Sequence, residues 1–356
     1  MSDSIQTIPV RTAPDYTVSI GPGLLTSCGQ RLREVLGPCR AAVIADSTVA
    51  PLYAPAVTAS LSAAGFSVCS YQFPAGEAHK NLSTLSEILE FLAREHLTRS
   101  DCVVALGGGV AGDMAGFAAA VYLRGIRCVQ LPTTLLAAVD SSVGGKTAID
   151  LAAGKNLAGA FLQPAAVLCD TDCLATLPLD VFADGAAEAI KTGVLSDESL
   201  FALFEDGTLT AAPAEVIARC VAYKAGVVER DETEQGERKL LNLGHTVGHA
   251  IEKCSGYTIP HGHAVAAGLA VMARAAEHLG WTQEPIAGRI AACLAKNDLP
   301  TGTDFSAADL AQAALSDKKR AGDTITVVVP RRIGTCQLHK LPVAELEHLI
   351  TAGLEG

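Results

Sequence analysis

Cys102-Val103-Val104-Ala105-Leu106-Gly107-Gly108-Gly109-Val110-Ala111-Gly112-Asp113 passes from five uninterrupted apolar residues into three consecutive glycines. The apolar run predicts a strand, and the alanine-rich stretch after Asp113 predicts a helix. Glycine lets a backbone come close to an anion, and a helix N-terminus turns unpaired N–H groups toward it. The segment therefore reads as strand, tight turn and helix start, a candidate pyrophosphate cradle. Its spacing is not G-x-G-x-x-G, and an ordinary strand-to-helix turn has the same composition.

Outward from this segment the first half repeats the pattern. Strands are predicted over 17–20, 41–45, 67–73, 102–106, 127–131 and 167–169, with a helix over 81–96. Alternation of strand and helix implies parallel βαβ units in a Rossmann-like sheet. The two N-terminal strands are close together and are expected to pair as a hairpin. Past residue 177 the pattern turns helical, with amphipathic runs over 186–195, 213–229 and 263–279 and one isolated strand over 324–329. The fold class expected is an α/β Rossmann-like domain with a parallel sheet, 1–177, followed by a mainly α-helical domain, 178–356.

The composition limits function. A net charge of −11 with no acidic tail argues against nucleic acid or an anionic membrane as partner. The eleven cysteines contain no CxxC pair and lie largely in apolar runs, as expected of reduced thiols in a cytoplasmic protein. The opening MSDSIQTIPV lacks the basic and apolar regions of a signal peptide, and no apolar run reaches bilayer length.

Three further segments carry polar groups suited to chemistry. Pro132-Thr133-Thr134 sets two hydroxyls at a strand's end, where they suit ribose, phosphate or a helix cap. Asp140-Ser141-Ser142-Val143-Gly144-Gly145-Lys146-Thr147, followed by Gly154-Lys155-Asn156, suits oxyanion binding. It is not a P-loop, because Asp140 stands where the first glycine belongs. Finally, four of the nine histidines lie at 245, 249, 261 and 263. His245 and His249 share a helix face, and His261 follows a loop. Imidazoles converging from two segments, with a carboxylate such as Glu188 from an apolar helix, suit Zn²⁺ or a similar divalent cation.

Together these segments resemble the 3-dehydroquinate synthases, a family of sugar-phosphate cyclases. The resemblance covers Gly107–Gly109 with Asp113, Arg124-Gly125, 131–136, 139–147, 154–156, Ala187-Glu188 with Lys191, 242–249, His261-Gly262 and Asp317-Lys318-Lys319. It implies NAD contacts at Asp46, Glu77, Lys80, Gly108, Gly109, Asp113, Thr133, Thr134, Asp140, Lys146, Lys155 and Thr176. It implies a divalent metal, zinc or cobalt, held by Glu188, His245 and His261. Helical spacing alone pairs His245 with His249 instead; the family pattern assigns His249 to proton traffic near the phosphate. Substrate would meet Arg124, Lys146, Asn156, Lys191, Lys224, Arg238, Asn242, His249 and Lys318 or Lys319. The implied reaction converts 3-deoxy-D-arabino-heptulosonate 7-phosphate into 3-dehydroquinate and phosphate. It runs through transient oxidation by NAD, elimination, re-reduction and aldol closure, in a homodimeric enzyme of the shikimate pathway. Related cyclases acting on sedoheptulose 7-phosphate or glucose 6-phosphate, and NAD-dependent polyol dehydrogenases, are the alternatives; Arg238, Asn242 and Lys318 or Lys319 favour a substrate with a carboxylate. The chain departs from the family pattern at Thr48, Thr192, Val247 and His263.

Overall fold

The computed structural model of the chain describes residues 5–206, 212–315, 320–321 and 323–355. They form two compact units, 1–177 with 224–233, and 178–223 with 234–356. The segment 224–233, which the sequence reading places in the second half, joins the first unit.

The first unit contains β1 (Gln6–Val10), β2 (Tyr16–Gly21), β3 (Arg40–Asp46), β4 (Ser67–Phe73), β5 (Cys102–Gly107), β6 (Arg127–Pro132), β7 (Lys146–Leu151), β8 (Gly154–Phe161) and β9 (Ala166–Asp170). Seven of these make one sheet in the order β1-β2-β9-β6-β5-β3-β4. All neighbours are parallel except β1 and β2, which form an antiparallel edge. Its helices are α1 (Cys28–Leu36), α2 (Ala50–Ala63), α3 (Leu82–Arg94) and α4 (Gly109–Val121). The period of two along each strand sends alternate side chains to opposite faces. Val43, Val104 and Leu106 pack into one core cluster, and Ile44, Val103 and Ala105 into the other. Both faces are thus covered, which is why these strands read as continuous apolar runs.

Two sequence expectations change here. The hairpin partner of β2 is β1, not the strand at 41–45. β1 was hidden because it carries Pro9 and lies mostly exposed at the sheet edge, where proline is tolerated. The polar, glycine-containing stretch after Gly145, for which no strand was expected, is a two-stranded antiparallel sheet, β7 with β8.

The second unit contains α5 (Leu179–Ser196), α6 (Glu198–Glu205), α8 (His245–Cys254), α9 (His261–His278), α10 (Ala287–Lys296), α11 (Ala307–Leu315) and α12 (Leu346–Glu355); α7 (Pro213–Arg230) runs from it into the first unit. The strand expected alone near 324 has two partners: β10 (Arg320–Ala321), β11 (Thr324–Arg332) and β12 (Thr335–Pro342) form an antiparallel sheet. β12 is largely solvent-facing, so it offers no apolar run to find. Val327 and Val329 of β11 pack with Val247, Ile251, Val271 and Leu349 in this unit's core. No helix among the described residues is long and apolar enough to cross a membrane.

Candidate active site

In the first unit the polar candidates gather at the carboxyl ends of the strands. β5 ends at Gly107, and α4 starts at Gly109 with Gly108 as its cap and no side chain closing the cap. Thr133, just past β6, donates its N–H to Gly107 O at 2.9 Å, which ties the threonine pair to the glycine turn. Thr134 Oγ1 accepts from Ala137 N at 3.2 Å. A Cβ on Gly108 would come within 3.0 Å of Thr134 Cγ2. Asp46 closes β3 and accepts the N–H groups of Thr48 and Val49 at 2.8 and 3.0 Å. Thr176 hydrogen-bonds with the Tyr53 hydroxyl.

Lys80 ties several of these candidates together. Its buried Nζ lies 2.6 Å from Asp113 Oδ2, 2.6 Å from Asn156 Oδ1 and 4.0 Å from Glu77 Oε1. Glu77 also pairs with Lys155 at 3.4 Å. Burial by itself lowers the Lys80 pKa, but the Asp113 and Glu77 carboxylates overcome it and hold the ammonium above its ordinary value. Asp140 binds Lys224 Nζ at 2.6 Å, and its carbonyl accepts from the same nitrogen at 2.7 Å. Lys146 opens β7 and is exposed. Arg124 stands apart from the glycine turn, in the turn beyond the far end of α4. A helix of 13 residues separates it from that turn, roughly 20 Å along the axis.

In the second unit the chemistry converges on Glu188 of α5, which is 1 % exposed. Its Oε1 lies 3.5 Å from His245 Nε2 and 3.4 Å from His261 Nε2. Neither carboxylate oxygen has a hydrogen-bond partner among the described residues, although Oε2 lies in ion-pair contact with Lys191. Lys191 in turn donates to Leu241 O at 2.9 Å. His245 is the first residue of α8, and its Nδ1 meets Leu243 O at 3.0 Å. A carbonyl only accepts, so Nδ1 carries the hydrogen and Nε2 keeps its lone pair toward Glu188. His261 opens α9 directly after Pro260. The next residue must be glycine, because a Cβ on Gly262 would fall 2.0 Å from Asp184 O. That close approach to α5 brings His261 to Glu188. Burial lowers the His261 pKa, but the Glu188 and Glu252 carboxylates prevail and push it up to about 10.

One donor atom each from Glu188, His245 and His261 lie within 4.8 Å of one another. An N₂O donor set around a buried carboxylate without hydrogen bonds fits a divalent cation of the zinc type. His249 also comes close, 5.2 Å from His245 and 5.9 Å from His261 between ring centroids, and it joins Glu252 and His261 in a second such group. His263 is drawn away, since its Nδ1 and backbone N both meet Asp184 Oδ1, at 3.2 and 3.0 Å. Arg238 is 1 % exposed, and Asn242 donates to Glu234 at 2.6 Å. Lys318 and Lys319 lie outside the described residues.

The sequence reading overlooked Asp184, Glu234 and Glu252. Glu252 left a signal: it sits seven residues on from His245 and three on from His249, on the same face of one helix.

The model of the 3-dehydroquinate synthase N-terminal region matches residues 70–184, and that of the C-terminal region matches residues 185–320. The chain belongs to the 3-dehydroquinate synthase family. It is an enzyme of that family. The 3-dehydroquinate synthase of Neisseria gonorrhoeae (strain NCCP11945) is 46% identical over 339 residues, 93% of this chain and 94% of that one. The 3-dehydroquinate synthase of Pelobacter propionicus is 46% identical over 348 residues, 96% of each. Among solved structures, the 2-epi-5-epi-valiolone synthase of Streptomyces hygroscopicus subsp. jinggangensis, with NAD⁺ and Zn²⁺ bound, superposes with a TM-score of 0.86 at 26% identity, covering 96% of this chain and 97% of that one.

Proposed function

We propose that this enzyme carries out the reaction its family is named for. It converts 3-deoxy-D-arabino-heptulosonate 7-phosphate into 3-dehydroquinate and phosphate, with NAD and a divalent cation as cofactors. The observation that carries the reading is the convergence of Glu188, His245 and His261, three segments' worth of donors, in a chain 46% identical to 3-dehydroquinate synthases over nearly all its length. A bound cation, zinc or cobalt, would supply Lewis acidity to a substrate hydroxyl, and bound NAD would supply a reversible hydride acceptor with no net redox.

The chain's own residues take the remaining roles. Gly108, Gly109, Thr133 and Thr134 shape the turn for the pyrophosphate, with Asp46, Glu77, Lys80, Asp113, Asp140, Lys146, Lys155 and Thr176 around the rest of the dinucleotide. In the first unit Lys146, Asn156 and Lys224 are assigned to substrate, while Arg124, at the far end of α4, is left without a role; in the second, Lys191, Arg238, Asn242 and His249 are assigned to substrate. Lys191 is already charge-paired with Glu188, which keeps an ammonium at the cation centre. The division at residue 177 separates dinucleotide binding from cation binding. The eleven free cysteines support a reducing, cytoplasmic setting, and the family resemblance supports a homodimer.

The direct test incubates purified protein with the heptulosonate phosphate, NAD⁺ and Zn²⁺ or Co²⁺. Release of inorganic phosphate together with a carbocyclic product, and no net NADH, is expected. Net NADH on adding glycerol, with no phosphate released from any sugar phosphate, would replace this reading with a polyol dehydrogenase.

A further inference from the structure

We propose that Glu252 is a positioning residue for the cation centre, holding His261 through Nδ1 so that Nε2 faces Glu188 and His245. The inference rests on the cation site proposed above. Glu252 is 1 % exposed, and a carboxylate buried to that degree is costly without a donor beside it. Its Oε2 lies 3.2 Å from His261 Nδ1, while His261 Nε2 lies 3.4 Å from Glu188 Oε1. The imidazole therefore meets a different carboxylate at each nitrogen. An ionised carboxylate only accepts, so it draws the hydrogen of neutral His261 onto Nδ1 and leaves the Nε2 lone pair for the cation. Its charge also makes that lone pair a better ligand.

The backbone at Glu252 serves the same end. Glu252 O accepts from Tyr257 N at 2.7 Å and from Ser255 Oγ at 2.8 Å. Ser255 Oγ in turn accepts from Ile259 N at 3.3 Å. The main chain of Glu252 fastens the link that delivers His261, and its side chain fastens the ring. Because His249, Glu252 and His261 also form a compact donor group, Glu252 could instead be a ligand itself. The geometry argues against this, since a cation shared with Glu188 sits at Nε2, across the ring from Glu252.

The test compares wild type, Glu252→Gln, Glu252→Ala and Glu188→Gln. Zinc and cobalt affinities are measured by competition with a coloured chelator, the cobalt forms by their d–d absorption, and the metal-free proteins by thermal melting. The glutamine keeps the size and an acceptor oxygen but drops the charge. Glu252→Gln should weaken the cation about tenfold and Glu252→Ala by roughly ten- to a hundredfold, with a shifted cobalt spectrum. Glu188→Gln should remove measurable binding. Affinity and spectrum unchanged in the Glu252 variants overturns the proposal, and so does a loss as complete as that of Glu188→Gln, which would make Glu252 a ligand. Should Glu252→Ala fail to fold, Glu252→Gln decides alone by the same readings. A wild type that binds neither cation removes the site itself, and this inference with it.

Discussion

His261 carries two opposing demands: its surroundings favour the imidazolium, and a cation requires the neutral ring. The Glu188 and Glu252 carboxylates push its pKa up to about 10 against the effect of burial. The group is raised, so it is protonated at neutral pH and stays so until pH approaches that value. A cation that takes Nε2 must therefore expel the proton. Calorimetry of cobalt binding in buffers of different ionisation enthalpy should count about one proton released per cation at pH 8, with affinity rising about tenfold per pH unit below that. An ordinary histidine, near 6.5, would already be neutral at pH 8 and release almost none. Lys80 offers a second test. Its charge neutralises Asp113 inside the first unit. Lys80→Met leaves that carboxylate without its partner and should cost about 3 kcal/mol in denaturant unfolding. Lys80→Met combined with Asp113→Leu should recover most of the loss, because the apolar pair strands no charge. An additive double variant would show that the pair carries no coupling.

Among the elements, α4 packs against β7 closely enough that a single added atom group would disturb both. A Cβ on Gly116 would fall 2.5 Å from Thr147 Cγ2 on β7, so Gly116→Val must push helix and hairpin apart. The expected cost is about 2 kcal/mol, read from the denaturant midpoint at unchanged m-value. That contact was invisible in the sequence, where no strand was expected over 146–151. The parallel strands were legible because burial on both faces leaves unbroken apolar runs such as 102–106. β1, β8 and β12 were not, because an edge or solvent-facing strand has no apolar run to show. The site followed the same logic. Glycines at a strand's end and histidines four apart are local patterns that survive in one dimension. The approach of Glu188 to His261 depends on Gly262 fitting against Asp184, and the holding of Lys80 by Asp113 and Asn156 joins three distant segments. Residue types alone had offered Glu188 as the carboxylate for the histidines, but nothing in the sequence pointed to the contacts of Lys80.

At the scale of the whole molecule, the assigned dinucleotide residues and the cation donors belong to different compact units. Asp46, Gly108, Gly109, Asp113, Thr133 and Thr134 lie in the first, and Glu188, His245 and His261 in the second. The glycine turn is built by backbone N–H groups and by the Thr133-to-Gly107 hydrogen bond, none of which involves an imidazole. Removing the cation therefore leaves the dinucleotide cradle intact. It also leaves Glu188 in ion-pair contact with Lys191, so the carboxylate is not stranded. Dialysis against a chelator should abolish phosphate release while NAD⁺ affinity, followed by calorimetry, changes by no more than about threefold, a difference of about 0.7 kcal/mol. Zinc or cobalt added back should restore turnover without refolding. Loss of NAD⁺ binding in step with the cation would mean that the two sites are built as one, and that the assignment of their residues to separate units is wrong.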